Sequence, residues 1–116
     1  MEESLAEKKA RRFSDPHKRR VLTNISQKIW KYNPHLAGIE VVAVLLLVPS
    51  DHPGWPVVER ELKEEAAFWG EELLEIYQKA VATHWIDIEN LAFFCLLENG
   101  SYTVMCFTPE GGVPSA

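Results

Sequence analysis

Cysteine is scarce in this chain, and its placement argues against a disulfide framework or a structural zinc site. Cys95 and Cys106 are the full complement among 116 residues. Neither lies at a metal-ligand spacing from a histidine or from the other cysteine. Both are therefore expected to be reduced and buried as small apolar side chains. The sequence predicts no metal site and no cofactor.

Long apolar runs and catalytic motifs are also missing. The apolar block at residues 38–48 is too short to span a bilayer as a helix, which takes about 20 residues. Residues 1–12 are charged and lack an apolar segment, so no signal peptide is expected and the predicted compartment is the cytoplasm. The sequence contains no nucleophile elbow, phosphate-binding loop or dinucleotide fingerprint. These absences favour a protein that is not an enzyme.

Basic residues are few after residue 32. Residues 1–32 carry nine Lys and Arg against four acids, whereas residues 33–116 carry three against thirteen. The net charge of −5 therefore hides an asymmetry. A basic N-terminal part precedes an acidic domain.

Turn residues and apolar spacing predict an α+β fold in the order α-β-α-β-β. Ser14-Asp15-Pro16 is typical of a helix start, and apolar residues recur at helical spacing from there to Tyr32. The block at 38–48 predicts a strand, and the spacing over 56–84 predicts one long second helix. Asn99-Gly100 separates two β-prone runs and predicts a two-residue hairpin turn. The expected domain has a three-stranded sheet, two helices and a C-terminal β-hairpin.

The expected organisation is a basic arm at 1–13 that is mobile or only marginally helical, a single domain at 14–108 and a flexible tail at 109–116. A right-handed crossover would make the first two strands parallel, with the third antiparallel. The two helices cover either both sheet faces or only one. The apolar strands favour a second copy on the open face, hence a homodimer or a subunit of a larger assembly.

The leading functional hypothesis is protein–protein interaction through an acidic helix face. At 100° per residue, Phe68 falls within an arc of six glutamates on the predicted second helix: Glu61, Glu64, Glu65, Glu71, Glu72 and Glu75. An aromatic ring surrounded by carboxylates is typical of an anchor for a basic partner, as in an adaptor, regulatory subunit or inhibitor. Two alternatives stay open: an ordinary solvated face, or a face covered by the chain's own basic arm.

A second hypothesis is nucleic-acid binding through the arm and the first helix. Basic side chains there would neutralise phosphates, and Trp30 would stack on a base. The residues concerned are Lys8, Lys9, Arg11, Arg12, Lys18, Arg19, Arg20 and Trp30. Membrane binding is not expected, because the apolar face of the arm is small.

A third hypothesis places a small enzyme or ligand site in the loop at 50–55. Asp51, His52 and Trp55 follow the carboxyl end of the first strand, where ligands bind in open α/β sheets. Asp51 and His52 would act as acid and base or hold a metal. The alternative is an ordinary turn, since Asp, His and Pro are frequent in loops.

Overall fold

The computed structural model describes residues 5–85, 91–108 and 111–114. These residues form an α+β fold, as predicted from the sequence. The helices are α1 (Leu5–Arg12), α2 (Pro16–Tyr32), α3 (Trp55–Trp69) and α4 (Glu72–Thr83), with a short 3-10 helix at Pro34–Leu36. The strands are β1 (Val41–Leu46), β2 (Ala92–Leu97), β3 (Tyr102–Thr108) and β4 (Gly111–Pro114).

The two ends of the chain differ from the sequence prediction. Helix α1 stands where an arm that is mobile or only marginally helical was expected, and β4 stands where a flexible tail was expected. β4 pairs with β3, which makes the sheet four-stranded rather than three-stranded. Residues 1–4 of the predicted arm, and 109–110 and 115–116 of the predicted tail, lie outside the described residues.

All neighbouring strands are antiparallel, in the order β1-β2-β3-β4. The predicted parallel crossover between the first two strands is therefore wrong. One helix over 56–84 would be about 43 Å long, whereas a six-residue strand spans only about 20 Å. Two shorter helices return the chain to the end of the sheet where β1 finishes, and β2 begins there.

Gly70 divides the predicted second helix into α3 and α4. Its φ of 140° and ψ of 144° belong to a region that is essentially restricted to glycine. The Gly70 N–H still bonds to the Ala66 carbonyl at 2.8 Å and so ends α3. The apolar spacing continues across the break, since Trp69, Leu73 and Tyr77 are all buried.

The boundaries of α2 follow the sequence signals. Asp15 caps the helix by accepting the His17 backbone N–H at 3.0 Å, and Pro16 occupies the first turn. Asn33 precedes Pro34 and takes a non-helical conformation, because a residue before proline is disfavoured in the helical region.

The hairpin between β2 and β3 has a three-residue loop instead of the predicted two-residue turn. The Leu97 N–H bonds to the Ser101 carbonyl, and the Gly100 N–H bonds to the Leu97 carbonyl. Gly100 takes a positive φ of 90°, as expected for a type I turn followed by a bulge. The changed register pairs Cys95 with Thr103 and Cys106 with Ala92. The cysteines therefore lie on opposite sheet faces.

Helices of the same chain cover both faces of the sheet. Helices α3 and α4 pack on the face that carries Leu45, Phe94 and Val104. Helix α2 packs through Ile29 on the other face, against Val41, Cys95, Leu97 and Met105. This is the first of the two predicted arrangements, and the sheet faces are occupied without a second copy. The homodimer stays a prediction.

Candidate protein-binding site

Helix α1 brings the basic segment onto the acidic body. Its sequence, LAEKKARR, consists of residues with high helix propensity. The helix ends at Arg12, and the next residue, Phe13, bonds through its N–H to the Lys9 carbonyl at 2.9 Å and has a buried ring. The Phe13 ring lies 6.2 Å from the Trp69 ring of α3, in a stacked arrangement.

Lys9 links α1 to the sheet. Its Nζ donates to Glu40 Oε1 at 2.5 Å and to Glu98 Oε2 at 2.8 Å. Glu98 Oε2 also accepts the Glu40 backbone N–H at 3.2 Å, which fixes the carboxylate in place. Burial alone lowers the pKa of Lys9, but the two carboxylates outweigh burial and raise that pKa above its usual value. Lys9 is therefore charged at neutral pH and holds α1 against β1 and the hairpin loop.

Arg12 links α1 to α3. Its Nη2 donates to Glu65 Oε1 at 2.6 Å. The other oxygen of Glu65 accepts the indole N–H of Trp69 at 2.8 Å. Glu65 is thus positioned by its own helix before it meets the guanidinium, because Trp69 follows it by one helical turn.

Phe68 lies beneath two guanidinium groups. The Cζ atoms of Arg11 and Arg12 are 4.9 and 4.6 Å from the centre of its ring. These distances are within the range of cation–π attraction. The Phe68 ring also meets the Trp69 ring edge to face at 4.7 Å. We call Glu65, Phe68 and Trp69 the Phe68 face; it holds a basic helix through one carboxylate and an aromatic pair.

The six predicted glutamates do not form one arc. Gly70 separates the three on α3 from Glu71, which precedes α4, and from the two on α4, so the assumed common helix axis does not exist. Glu65 alone of the six carries a bond to α1 among the described contacts, and Glu75 pairs with Lys79 at 3.4 Å. The remaining four are exposed: Glu61, Glu64, Glu71 and Glu72.

The residues predicted to bind nucleic acid are dispersed. Lys9 and Arg12 are paired with carboxylates. Arg19 donates two hydrogen bonds, from Nε and Nη2, to the Phe13 carbonyl. Trp30 is half-buried, and its indole N–H donates to the Ile39 carbonyl at 2.7 Å. The Trp30 ring packs against the apolar cluster between α2 and the sheet, and this contact opposes its stacking on a base. Lys18 and Arg20 are exposed on α2, Arg11 is exposed over Phe68, and Lys8 is half-buried.

The loop predicted as a ligand site does not gather its side chains. Asp51 and His52 are exposed, and His52 Nδ1 accepts the Gly54 backbone N–H at 2.9 Å. Trp55 is half-buried and its ring lies 6.1 Å from the Tyr77 ring. The loop at 50–55 is therefore a hydrogen-bonded turn that leads into α3.

The described part of the chain holds no group of three or more His, Cys, Asp or Glu side chains arranged to bind a metal ion. Burial raises the pKa of the Cys95 thiol to about 12. That thiol is protonated at neutral pH, and the thiolate needed for nucleophilic chemistry does not form.

Four residues that complete the α1 contact are missed by sequence reasoning. Sequence patterns place Glu40 and Glu98 in strands, Trp69 in the core, and Phe13 at the end of the arm. Their roles depend on contacts between distant residues: Lys9 is 31 positions from Glu40 and 89 from Glu98. The one available signal is the opposite charge of the arm and the body.

Comparisons with protein-family models, curated proteins and solved structures gave no significant match to this chain. Within the described ranges, none of the helices has the length and apolar character needed to cross a membrane.

Proposed function

We propose that this chain is a small protein–protein interaction domain whose Phe68 face binds a basic helical segment. The observation that supports the proposal is the seating of α1, a basic helix, on Glu65, Phe68 and Trp69. Aromatic side chains beside a charged group are the usual centre of a protein interface. An adaptor, regulatory subunit or inhibitor in the cytoplasm is the role that we propose for such a domain.

The helix length, the ion pairs and the cation–π contacts of α1 each contribute little to its attachment, which leaves the buried Phe13 ring as its main anchor. Eight residues are too few for a stable isolated helix, which needs about 12–15. The ion pairs of α1 are those of Lys9 and Arg12, and the side chains that form them keep between 18% and 35% of their surface exposed. Pairs at exposed sites contribute only about 0.2–1 kcal/mol each, and exposed cation–π contacts contribute about as much. A partner helix with the same basic pattern would therefore compete with α1 for the Phe68 face.

The test compares three full-length proteins for binding of a fluorescent peptide with the sequence of residues 1–12. The first is the intact chain, and the second carries Lys9→Gln, Arg11→Gln and Arg12→Gln. The third is a matched control that loses the same charge elsewhere, through Lys18→Gln, Arg20→Gln and Lys31→Gln. Fluorescence anisotropy gives the dissociation constants, and urea unfolding confirms that each protein is folded.

We expect the second protein to bind the peptide at least tenfold more tightly than the other two, because its own α1 no longer holds the Phe68 face. A peptide with Arg11 and Arg12 replaced by Gln should bind none of them. Adding Phe68→Ala to the second protein should remove the binding. Equal affinity for all three proteins, or for both peptides, would contradict the proposal.

A further inference from the structure

A cavity of about 430 Å³ lies between α1, α2 and the adjoining ends of β1 and β2. Phe13, Leu22 and Val41 supply apolar walls, and Lys9, Arg19, Glu40 and Glu98 supply the charged groups. The volume falls within the range of small-molecule sites, which are mostly apolar with a few polar groups that orient the ligand. The proposed partner contact uses Arg11 and Arg12, which do not line the cavity, and it shares Phe13 with the cavity wall.

The charged groups of the cavity are not equivalent. Lys9 forms ion pairs with both Glu40 and Glu98, at 2.5 and 2.8 Å, so these three groups together carry one net negative charge. Arg19 donates Nε and Nη2 to the Phe13 carbonyl at 3.2 and 2.8 Å, which fixes the guanidinium without neutralising it. Over the residues that the structure describes, Arg19 forms no ion pair with a carboxylate. The exposed side chain of Arg19 thus places a positive charge, held by two hydrogen bonds, beside a cavity that both apolar and charged residues line.

We infer that this cavity binds a small amphipathic carboxylate, such as a medium-chain fatty acid, with its carboxylate on Arg19 and its apolar body against Phe13, Leu22 and Val41. Arg19 keeps further N–H groups after its two bonds to Phe13, and a guanidinium suits a carboxylate. Glu40 and Glu98 share one lysine, and they repel a dianion such as a phosphate ester more strongly than they repel a monoanion. An ammonium ligand would have to displace Lys9 from both carboxylates.

Isothermal titration calorimetry of the intact chain tests this assignment with three probes that share one tail: octanoate, octanol and octylammonium. We expect octanoate to bind at least tenfold more tightly than the other two. Arg19→Gln should remove this preference. Arg20→Gln removes the same charge from a neighbouring residue that is exposed like Arg19 but does not line the cavity, and should keep the preference. Equal binding of octanoate and octanol to the intact chain would overturn the inference.

A second variant tests the apolar walls without changing Arg19. Leu22→Trp places a larger side chain in the cavity, so octanoate binding should weaken at least tenfold, and thermal unfolding checks that the variant is folded. An octanoate affinity that is unchanged in Leu22→Trp would overturn the assigned site. Equal losses of affinity in Arg19→Gln and Arg20→Gln would show only non-specific ionic attraction and would overturn it as well. The partner peptide is absent from these titrations, so the result is independent of the proposed function.

Discussion

Tyr77 shows how a single residue of α4 completes the outer edge of the sheet. The side chain is fully buried, and its hydroxyl donates to the Leu46 carbonyl at 2.7 Å while accepting the Val48 N–H at 3.0 Å. β1 is an edge strand, and edge strands present backbone groups that need partners. Burial raises the pKa of Tyr77, and the hydrogen bond from Val48 only partly opposes that rise.

Replacing Tyr77 with Phe should therefore destabilise the fold although the ring remains. The Leu46 carbonyl and the Val48 N–H would lose a buried partner, which costs about 1–3 kcal/mol. The free energy of unfolding in urea gives the loss. Tyr32→Phe is the matched control, because Tyr32 is exposed and its change should cost much less. Equal losses for the two variants would contradict the role given to the Tyr77 hydroxyl.

At the residue scale, sequence reasoning finds the aromatic of the candidate site but not its surroundings. Helical spacing places Phe68 among carboxylates, and Glu65 does lie beside it under the Arg12 guanidinium. The sequence leaves open whether Phe68 faces solvent or lies under the basic arm, and in the structure the ring is half-buried under α1. Helical spacing describes one element, whereas the covering helix comes from a distant part of the chain.

Among the elements, the break at Gly70 decides the topology. A continuous helix would carry the chain past the sheet, whereas the turn at Gly70 allows α3 and α4 to pack together. The backbone at Gly70 has a φ of 140°, and a Cβ there would meet the Glu72 carboxylate at 2.8 Å. The carboxylate is the end of a flexible side chain and can move, so the backbone strain is the larger effect.

Gly70→Ala should cost about 2–3 kcal/mol of unfolding free energy, because alanine is strained in this region. Gly38→Ala is the matched control: Gly38 has a φ of 88°, and a methyl group there would meet no other atom within 4 Å, so about 1 kcal/mol is expected. Chemical denaturation of both variants checks the order. A Gly70→Ala loss no larger than the Gly38→Ala loss would show that the break does not depend on glycine.

The elements also show which parts of the fold local sequence can predict. The start and end of α2, the position of β1 and the two arms of the hairpin follow from caps, proline and β-prone runs. The direction of β2 relative to β1, and the pairing of β4, depend on contacts between distant residues and carry no local signal. The predicted hairpin loop is one residue too short, because Asn99-Gly100 suits both a two-residue turn and the end of a three-residue loop.

Across the whole molecule, the charge asymmetry of the sequence becomes an internal contact. The basic segment lies on the acidic body through Lys9, Arg11 and Arg12, which is one of the arrangements that the sequence leaves open. The nucleic-acid hypothesis loses its main support, because two of these charges are paired and Trp30 is part of the packing. The partner hypothesis gains a specific form: an external basic helix would replace α1.

Amide hydrogen exchange of the ¹⁵N-labelled intact chain, in low and high salt, tests this account most directly. Salt screens exposed ion pairs, so the amides of α1 should exchange about tenfold faster in 0.5 M than in 0.05 M salt, corresponding to about 1.4 kcal/mol. The amides of α2 and β2 serve as internal references and should not change. The variant with Lys9, Arg11 and Arg12 replaced by Gln should exchange rapidly in α1 at both salt concentrations. Amides in α1 that are as protected as those of β2, and insensitive to salt, would contradict an exchangeable helix on the Phe68 face.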